Sequence, residues 1–280
     1  MHLLDLGDFS GDVWLFGGPY SNLQATRAFL ALAAQAGGPV DGPVGGQGGA
    51  RPICTGDVVG YGAEAQKVLK LVAANAHVIA GNVERQLARG AGDCGCGFAP
   101  GTTCETLSQG WYAHADAQVG PKWREWMDGL ADMAVFTHLG RRYGVVHGGA
   151  SDISRFLWPC SPECDFRTEI ALVTGLLGPI DGIIAGHSGL AFERIIDGVH
   201  WINAGVIGLP PHDGRAQTRF GVLKQDGVHF QRLHYDHLQA AGAMRAAGLG
   251  NAYAETLETG IWPSEDVLPP ALRRGGGFAG

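Results

Sequence analysis

The sequence predicts an α/β fold, and three observations predict it. Short apolar runs stop abruptly on glycine followed by a polar, metal-competent residue, as in Ile53-Cys-Thr-Gly-Asp57. Stretches with apolar residues at helical spacing separate those runs. Two Asp-Gly dipeptides, Asp197-Gly198 and Asp226-Gly227, stand between strand-like segments and signal hairpins. An open α/β sheet collects ligands at the carboxyl ends of its strands, so the residues at those ends matter most.

Taken in order, residues 3–6 and 13–16 read as short strands joined by a polar turn with Gly7, Asp8 and Gly11. A helix follows over about 23–35, with Leu23, Phe29, Leu30 and Ala33 on one face and Ser21 or Asn22 as its cap. Residues 37–49 are rich in glycine and proline and read as a flexible loop. The strand ending at Gly56-Asp57 leads into a helix over about 63–74. Residues 77–80 form the next strand, which ends at Gly81-Asn82 and passes into a helix over 83–88. Residues 89–105 read as irregular, and two aromatic-rich helices follow near 106–118 and 121–130. Residues 133–139 and 142–147 predict an antiparallel pair turning at Gly140. Residues 156–164 read as a loop, 169–177 as a helix, and 182–185 as a strand ending at His187. Four strands over 192–233 and two helices near 236–247 and 250–258 close the chain. The tail from about 272 reads as disordered.

Composition bounds the function. With 280 residues, 45% hydrophobic and 17% charged, the chain can bury a sizeable core as a single domain. A net charge of −7 argues against nucleic-acid binding, which needs cations against phosphates. No apolar run approaches the roughly 20 residues of a membrane span, and no secretory signal opens the chain, which gives a cytoplasmic expectation. Six cysteines in a reducing compartment read as free thiols or ligands in preference to disulfides.

Four strand ends deliver Asp57, Asn82, His147 and His187, separated by 25, 65 and 40 residues. Oxygen and nitrogen donors in this mixture suit a borderline divalent metal such as Mn, Fe or Zn. The bland alternative is four polar groups satisfied at strand ends. Cys94, Cys96 and Cys104 fall in one glycine-rich stretch, and Cys160 and Cys164 in another. Converging thiolates could hold zinc or iron as a second metal site, but the spacing matches no strong motif, so free thiols or a redox pair stay open. The tryptophans near 111–126 either pack a helical insertion or form an aromatic lid over a ligand.

The order Gly56-Asp57, Gly81-Asn82, His147-Gly148 and Gly186-His187 resembles the calcineurin-like metallophosphoesterase superfamily, in particular its small bacterial branch. Val58-Val-Gly-Tyr-Gly62, Phe156-Leu-Trp-Pro159 and Ile202-Asn-Ala-Gly205 extend the likeness over roughly residues 12–235. The resemblance implies a four-layer αββα sandwich over residues 1–280, with a cysteine-containing helical insertion over about 89–130. It implies hydrolysis of a phosphoester or phosphoanhydride of a small molecule or phosphoprotein, with Asp57, Asn82, His147 and His187 as ligands of the family's second metal. The departures are concentrated. Gly18 and Tyr20 stand where the family has first-metal Asp and His, Val83 where it has a general-acid His, and Gly189 where it has another ligand. A mononuclear or cysteine-supplemented centre is the implied form, with Tyr20, Asn22, Glu84 and Arg85 as candidates to orient phosphate. A non-catalytic descendant that binds a phosphorylated ligand, or senses metal or redox state, is the alternative.

Overall fold

The computed structural model describes residues 1–36 and 51–274, so the glycine-rich stretch expected over 37–49 and the end of the tail lie outside the described residues. Two sheets stack face to face because each alternates apolar side chains between two buried surfaces. The first sheet contains β1 (Leu3–Phe9), β5 (Met133–His138), β6 (Arg141–Val145), β7 (Gly182–Ala185), β8 (Ala191–Ile196) and β9 (Val199–Ala204), in the order β1-β5-β6-β7-β9-β8. The second contains β2 (Val13–Phe16), β3 (Ile53–Cys54), β4 (His77–Val78), β10 (Thr218–Lys224) and β11 (Gly227–Leu233), in the order β11-β10-β2-β3-β4.

Alternation within single strands builds the layers. Leu15 and Ile53 pack with Phe136, Val145, Ile184 and Ile202 in a core between the sheets. Their neighbours Phe16 and Cys54 point the other way, into a layer with α1 (Leu23–Gln35), α2 (Ala65–Asn75) and α3 (Asn82–Ala88). On the far face of the first sheet, Val135, Ile183 and Trp201 pack against Phe166, Val173 and Leu177 of α6 (Glu163–Leu177). The result is the four-layer αββα arrangement. α4 (Thr103–Gln118) and α5 (Pro121–Asp128) extend the helical layer over the second sheet, and α7 (His237–Ala246) and α8 (Ala252–Thr259) pack on each other near its edge.

Several boundaries differ from the expectations. α6 begins at Glu163, inside the segment read as a loop, because Pro162 stops the preceding turn while Glu163 and Asp165 favour a helix N-terminus. β1 runs on to Phe9, with Gly7 in the left-handed region (φ 74°) absorbing a register shift between Asp5 and Asp8. The two hairpins form as expected: β8 pairs β9 around Asp197-Gly198, and β10 pairs β11 around Asp226-Gly227. Asn22 caps α1, its side chain accepting from the Ala25 N–H.

The layout positions the site. β2, β3 and β4 run parallel, as do β6, β7 and β9, so the carboxyl ends of the inner strands of both sheets open on one edge. No helix among the described residues is long and apolar enough to cross a membrane.

Candidate metal centre

Asp57 follows β3, Asn82 opens α3 after β4, His147 follows β6, and His187 follows β7. The four side chains meet. His147 Nε2 lies 2.9 Å from Asn82 Oδ1, 3.1 Å from His187 Nδ1 and 3.3 Å from Asp57 Oδ2. Among the described residues, Asp57, His147 and His187 form the one group of titratable side chains whose ligand atoms all lie within 4.8 Å of one another.

The hydrogen bonds around this group fix the direction of each donor atom. His147 Nδ1–H donates to the Thr55 carbonyl at 2.6 Å, which leaves Nε2 as the lone-pair nitrogen of the neutral ring. The Asn82 amide nitrogen donates to the Cys94 carbonyl at 2.8 Å, so its oxygen is the atom turned to His147. With His147 neutral, an imidazole nitrogen, a carboxylate oxygen and an amide oxygen converge on one point with lone pairs and no proton between them. A lone-pair set of this kind needs a proton or a cation to hold it together. His187 Nε2 is buried and has no hydrogen-bond partner in the protein.

The charges fit the same picture. Burial alone would raise the Asp57 carboxyl, yet the adjacent His147 outweighs it and holds Asp57 below its ordinary value. Burial would lower His147, but Asp57 and the Thr55 carbonyl raise it above the usual imidazole value. His187 is driven down to about 3 by burial and by its His147 neighbour, so it stays neutral.

Local backbone geometry is built for close approach. Asp57 (φ 56°) and His187 (φ 63°) both sit in the left-handed region, which costs a non-glycine residue of order 1–3 kcal/mol and is typical of functional sites. Gly81 is required by space: a Cβ there would stand 2.2 Å from Asp57 Oδ1 and 2.9 Å from His147 Cε1.

Glu84 is the residue whose role differs most from the expectation. It is fully buried, and its carboxylate accepts from the N–H groups of Asp57, Val58 and Gly81, each at 2.8 Å. It splices the Asp57 loop to the start of α3 and does not face a phosphate. Burial and the nearby Asp57 charge raise its pKa to about 7. Arg85 is also turned away. Its guanidinium donates to the carbonyls of Met127, Asp128 and Leu130 and pairs with Asp132 at 2.6 Å, tying α3 to the end of α5. Asn22 is spent on α1 and on the Gly208 carbonyl at 3.0 Å. Of the four residues read as phosphate-orienting, Tyr20 alone lines the cavity described below.

The five cysteines do not converge. Cys94, Cys96 and Cys104 are buried, whereas Cys160 and Cys164 are exposed on the loop and first turn of α6. No cysteine sulfur joins a metal-competent group among the described residues. The Cys94–Cys96 segment has another use: besides the Cys94 carbonyl, the Cys96 sulfur lies 3.4 Å from the Asn82 amide nitrogen. Both groups grip the non-ligating end of that side chain.

No protein-family model matches the sequence, and no curated protein matches it. Solved structures do match. A metallophosphoesterase from Sphaerobacter thermophilus superposes with a TM-score of 0.65 at 18% identity, covering 90% of this chain and 100% of its own. A hypothetical protein from Pyrococcus horikoshii OT3 gives a TM-score of 0.69 at 15% identity, covering 90% of this chain and 99% of its own. The chain has the calcineurin-like metallophosphoesterase fold.

Within the metallophosphoesterase fold, the two glycines that depart from the family pattern lie against aromatic rings. Gly18 lies under Tyr20, where a Cβ would come within 2.5 Å of the phenol ring. Tyr20 is itself buried and packs edge-to-face on Tyr61 at 4.6 Å. Gly189 faces Trp262, whose ring carbons are 3.3 Å from its Cβ position. These positions carry no carboxylate or imidazole.

Beside the donor group of this metallophosphoesterase fold opens a cleft with Asp57 and His187 on its wall. Its other walls are largely aromatic, and the sequence reading missed most of them. Phe98, Phe156, Trp158, Tyr253 and Trp262 all line it, while Trp111, Trp123 and Trp126 pack within the helical layer and do not form the lid considered for them. The signal for Trp262 lies some 75 residues beyond His187 and could not be read locally.

Proposed function

We propose that the protein is a phosphoesterase with a mononuclear metal centre, hydrolysing a small phosphorylated substrate. The observation that carries this reading is the convergence of Asp57, Asn82, His147 and His187 donor atoms on one point, with His147 Nδ1 and the Asn82 amide nitrogen already committed elsewhere. Mn, Fe and Zn all accept such an O/N set. Asp57, Asn82, His147 and His187 would hold such an ion, which would supply Lewis-acid chemistry toward a phosphoryl oxygen and a water. The chain's own residues do the rest. Glu84 holds the Asp57 loop in place, and the Cys94 carbonyl orients Asn82.

Metal analysis of the purified full chain beside His147→Ala tests it, together with hydrolysis of a phosphoester panel after Mn, Fe or Zn loading. One ion per chain, absent from the variant along with turnover, is the expected result. Undiminished turnover in His147→Ala overturns the reading.

A second reading is favoured by one specific observation. Val83, beside Asn82, is buried and apolar, so no side chain at that position can hand a proton to a leaving group. General acids contribute about 10²–10⁴-fold. A protein that binds a phosphorylated ligand without turning it over would show ligand-induced thermal stabilisation and no hydrolysis in every metal-loaded form.

A further inference from the structure

The cleft has a feature that the metal centre does not require: its aromatic rings begin at the centre itself. Phe156 lies against the His187 imidazole, ring centroids 4.2 Å apart. Trp158 stacks parallel on Phe156 at 5.3 Å and an interplanar angle of 1°, and Phe98 stacks on it at 6.5 Å and 25°. A second ring group, Tyr20, Tyr61 and Tyr253, joins edge-to-face at 4.6 and 4.7 Å and lines the same cleft. Trp262 closes over Gly189, its indole nitrogen anchored on the Pro210 carbonyl at 2.7 Å.

Asp57 is the one carboxylate among the residues of the wall and stands with His187 at the donor group, while Ser188, Ser264 and three tyrosines add neutral hydroxyls and Cys96 and Cys104 thiols. No lysine or arginine stands among the described residues of the wall, so an ion at the centre would be the main positive charge a phosphate meets. Such a site suits one phosphoryl group and not a chain of them. The rest of the surface favours a flat ring, which gains offset or edge contacts with several aromatic partners beyond simple burial. Because Phe156 already touches the His187 ring, little room separates phosphoryl group from aromatic wall.

We infer that the cleft selects aryl phosphates, esters in which a flat aromatic ring is joined directly to a single phosphoryl group. This rests on the phosphoesterase reading of the centre and adds the substrate class to it. Turnover would cleave the P–O bond by water, giving a phenol and inorganic phosphate, with the phenol oxygen taking up the proton.

Non-hydrolysable probes separate ring recognition from the ease with which phenolates leave. The metal-loaded full chain is titrated with phenylphosphonate, methylphosphonate and phenol by calorimetry. Phenylphosphonate is expected to bind at least about tenfold more tightly than either of the others, the ring and the anion both contributing. Phe98→Leu and Trp262→Leu are expected to remove most of that preference while methylphosphonate affinity holds. Two variants are used because the Trp262 anchor also supports the wall, whereas Phe98 is half-buried on an irregular segment. Equal affinities for the two phosphonates overturn the aryl class and leave the phosphoesterase reading standing. So does a preference that survives in both variants when both are folded. Phenol binding as tightly as phenylphosphonate overturns the ester class. Binding of neither phosphonate overturns the phosphoesterase reading, and the inference with it.

Discussion

The Asn82 amide nitrogen donates to the Cys94 carbonyl at 2.8 Å, and this bond decides which end of the amide faces His147. A backbone carbonyl 12 residues away therefore orients a side chain of the candidate centre. The cysteine segment contributes through its main chain and through the Cys96 sulfur at 3.4 Å from the same nitrogen, not as a thiolate cage.

That division gives a direct test of the cysteines. Changing Cys94, Cys96 and Cys104 together to Ser keeps the Cys94 carbonyl in place, so metal content is expected to match the wild type at one ion per chain. Asn82→Ala removes a donor atom and is expected to weaken metal binding at least about tenfold, by analogy with the cost of losing even an outer partner of a ligand. Elemental analysis of both proteins, purified without chelator, reads the outcome. An ion lost from the serine variant alone would restore thiolates to the centre.

Glu84 makes the second prediction. Its two oxygens take three backbone N–H groups, two from Asp57 and Val58, 27 and 26 residues earlier in the chain, and one from Gly81, three residues earlier. In Glu84→Gln, an NH₂ group must face at least one of those donors, leaving buried N–H groups unpaired. The expected loss is about 2–3 kcal/mol of unfolding free energy. Urea unfolding of metal-free protein measures it, and an unchanged midpoint would show that the splice does not hold the loop.

Much of this was legible before the fold was in hand, for identifiable reasons. Gly56-Asp57, Gly81-Asn82 and Gly186-His187 announce themselves because each glycine and its polar neighbour are adjacent in sequence and end an apolar run. Glu84 and Arg85 misled because their neighbours along the chain, Asn82 and Val83, suggested a ligand-facing turn. Their actual partners, Val58 and Asp132 among them, come from other elements. The aromatic cleft was illegible for the same reason. Tyr20, Phe98, Phe156 and Trp262 arrive from separate loops, and no periodicity links them. The tryptophan-rich helices drew attention because their rings cluster in sequence, yet Trp123 and Trp126 pack on each other at 5.7 Å and serve the helical layer.

Gly81 tests the geometry of the centre without touching a donor atom. Its φ of −91° is open to any residue, so alanine there meets no backbone strain. The added methyl group would still stand 2.2 Å from Asp57 Oδ1 and must displace the carboxylate. Gly81→Ala is expected to lose about 1–3 kcal/mol of stability through overpacking and to weaken metal binding more than tenfold. Thermal unfolding with and without Mn²⁺ separates the two effects. A variant that is destabilised yet gains as much Tm from the ion as the wild type would mean that Asp57 does not contact it.

The last prediction concerns pH. In the metal-free protein His147 carries a raised pKa because Asp57 stands beside it, so below that value a proton occupies the Nε2 lone pair. A cation must displace that proton, and its affinity therefore falls as pH drops through the raised His147 value and levels off above it. Asp57 does not bend the curve in this range, since its carboxyl is held below the usual carboxylate value. His187, neutral down to about 3, does not bend it either. Glu84, titrating at about 7, acts in the same direction as His147, because its anion favours a nearby cation. Below the raised His147 value the slope of log Kd against pH should lie between about one and two decades per unit, for one to two protons released. Calorimetric titration with Mn²⁺ in buffers of different ionisation enthalpy counts those protons. In Glu84→Gln the slope should fall toward one, and a pH-independent affinity in the wild type would remove His147 from the ligand set.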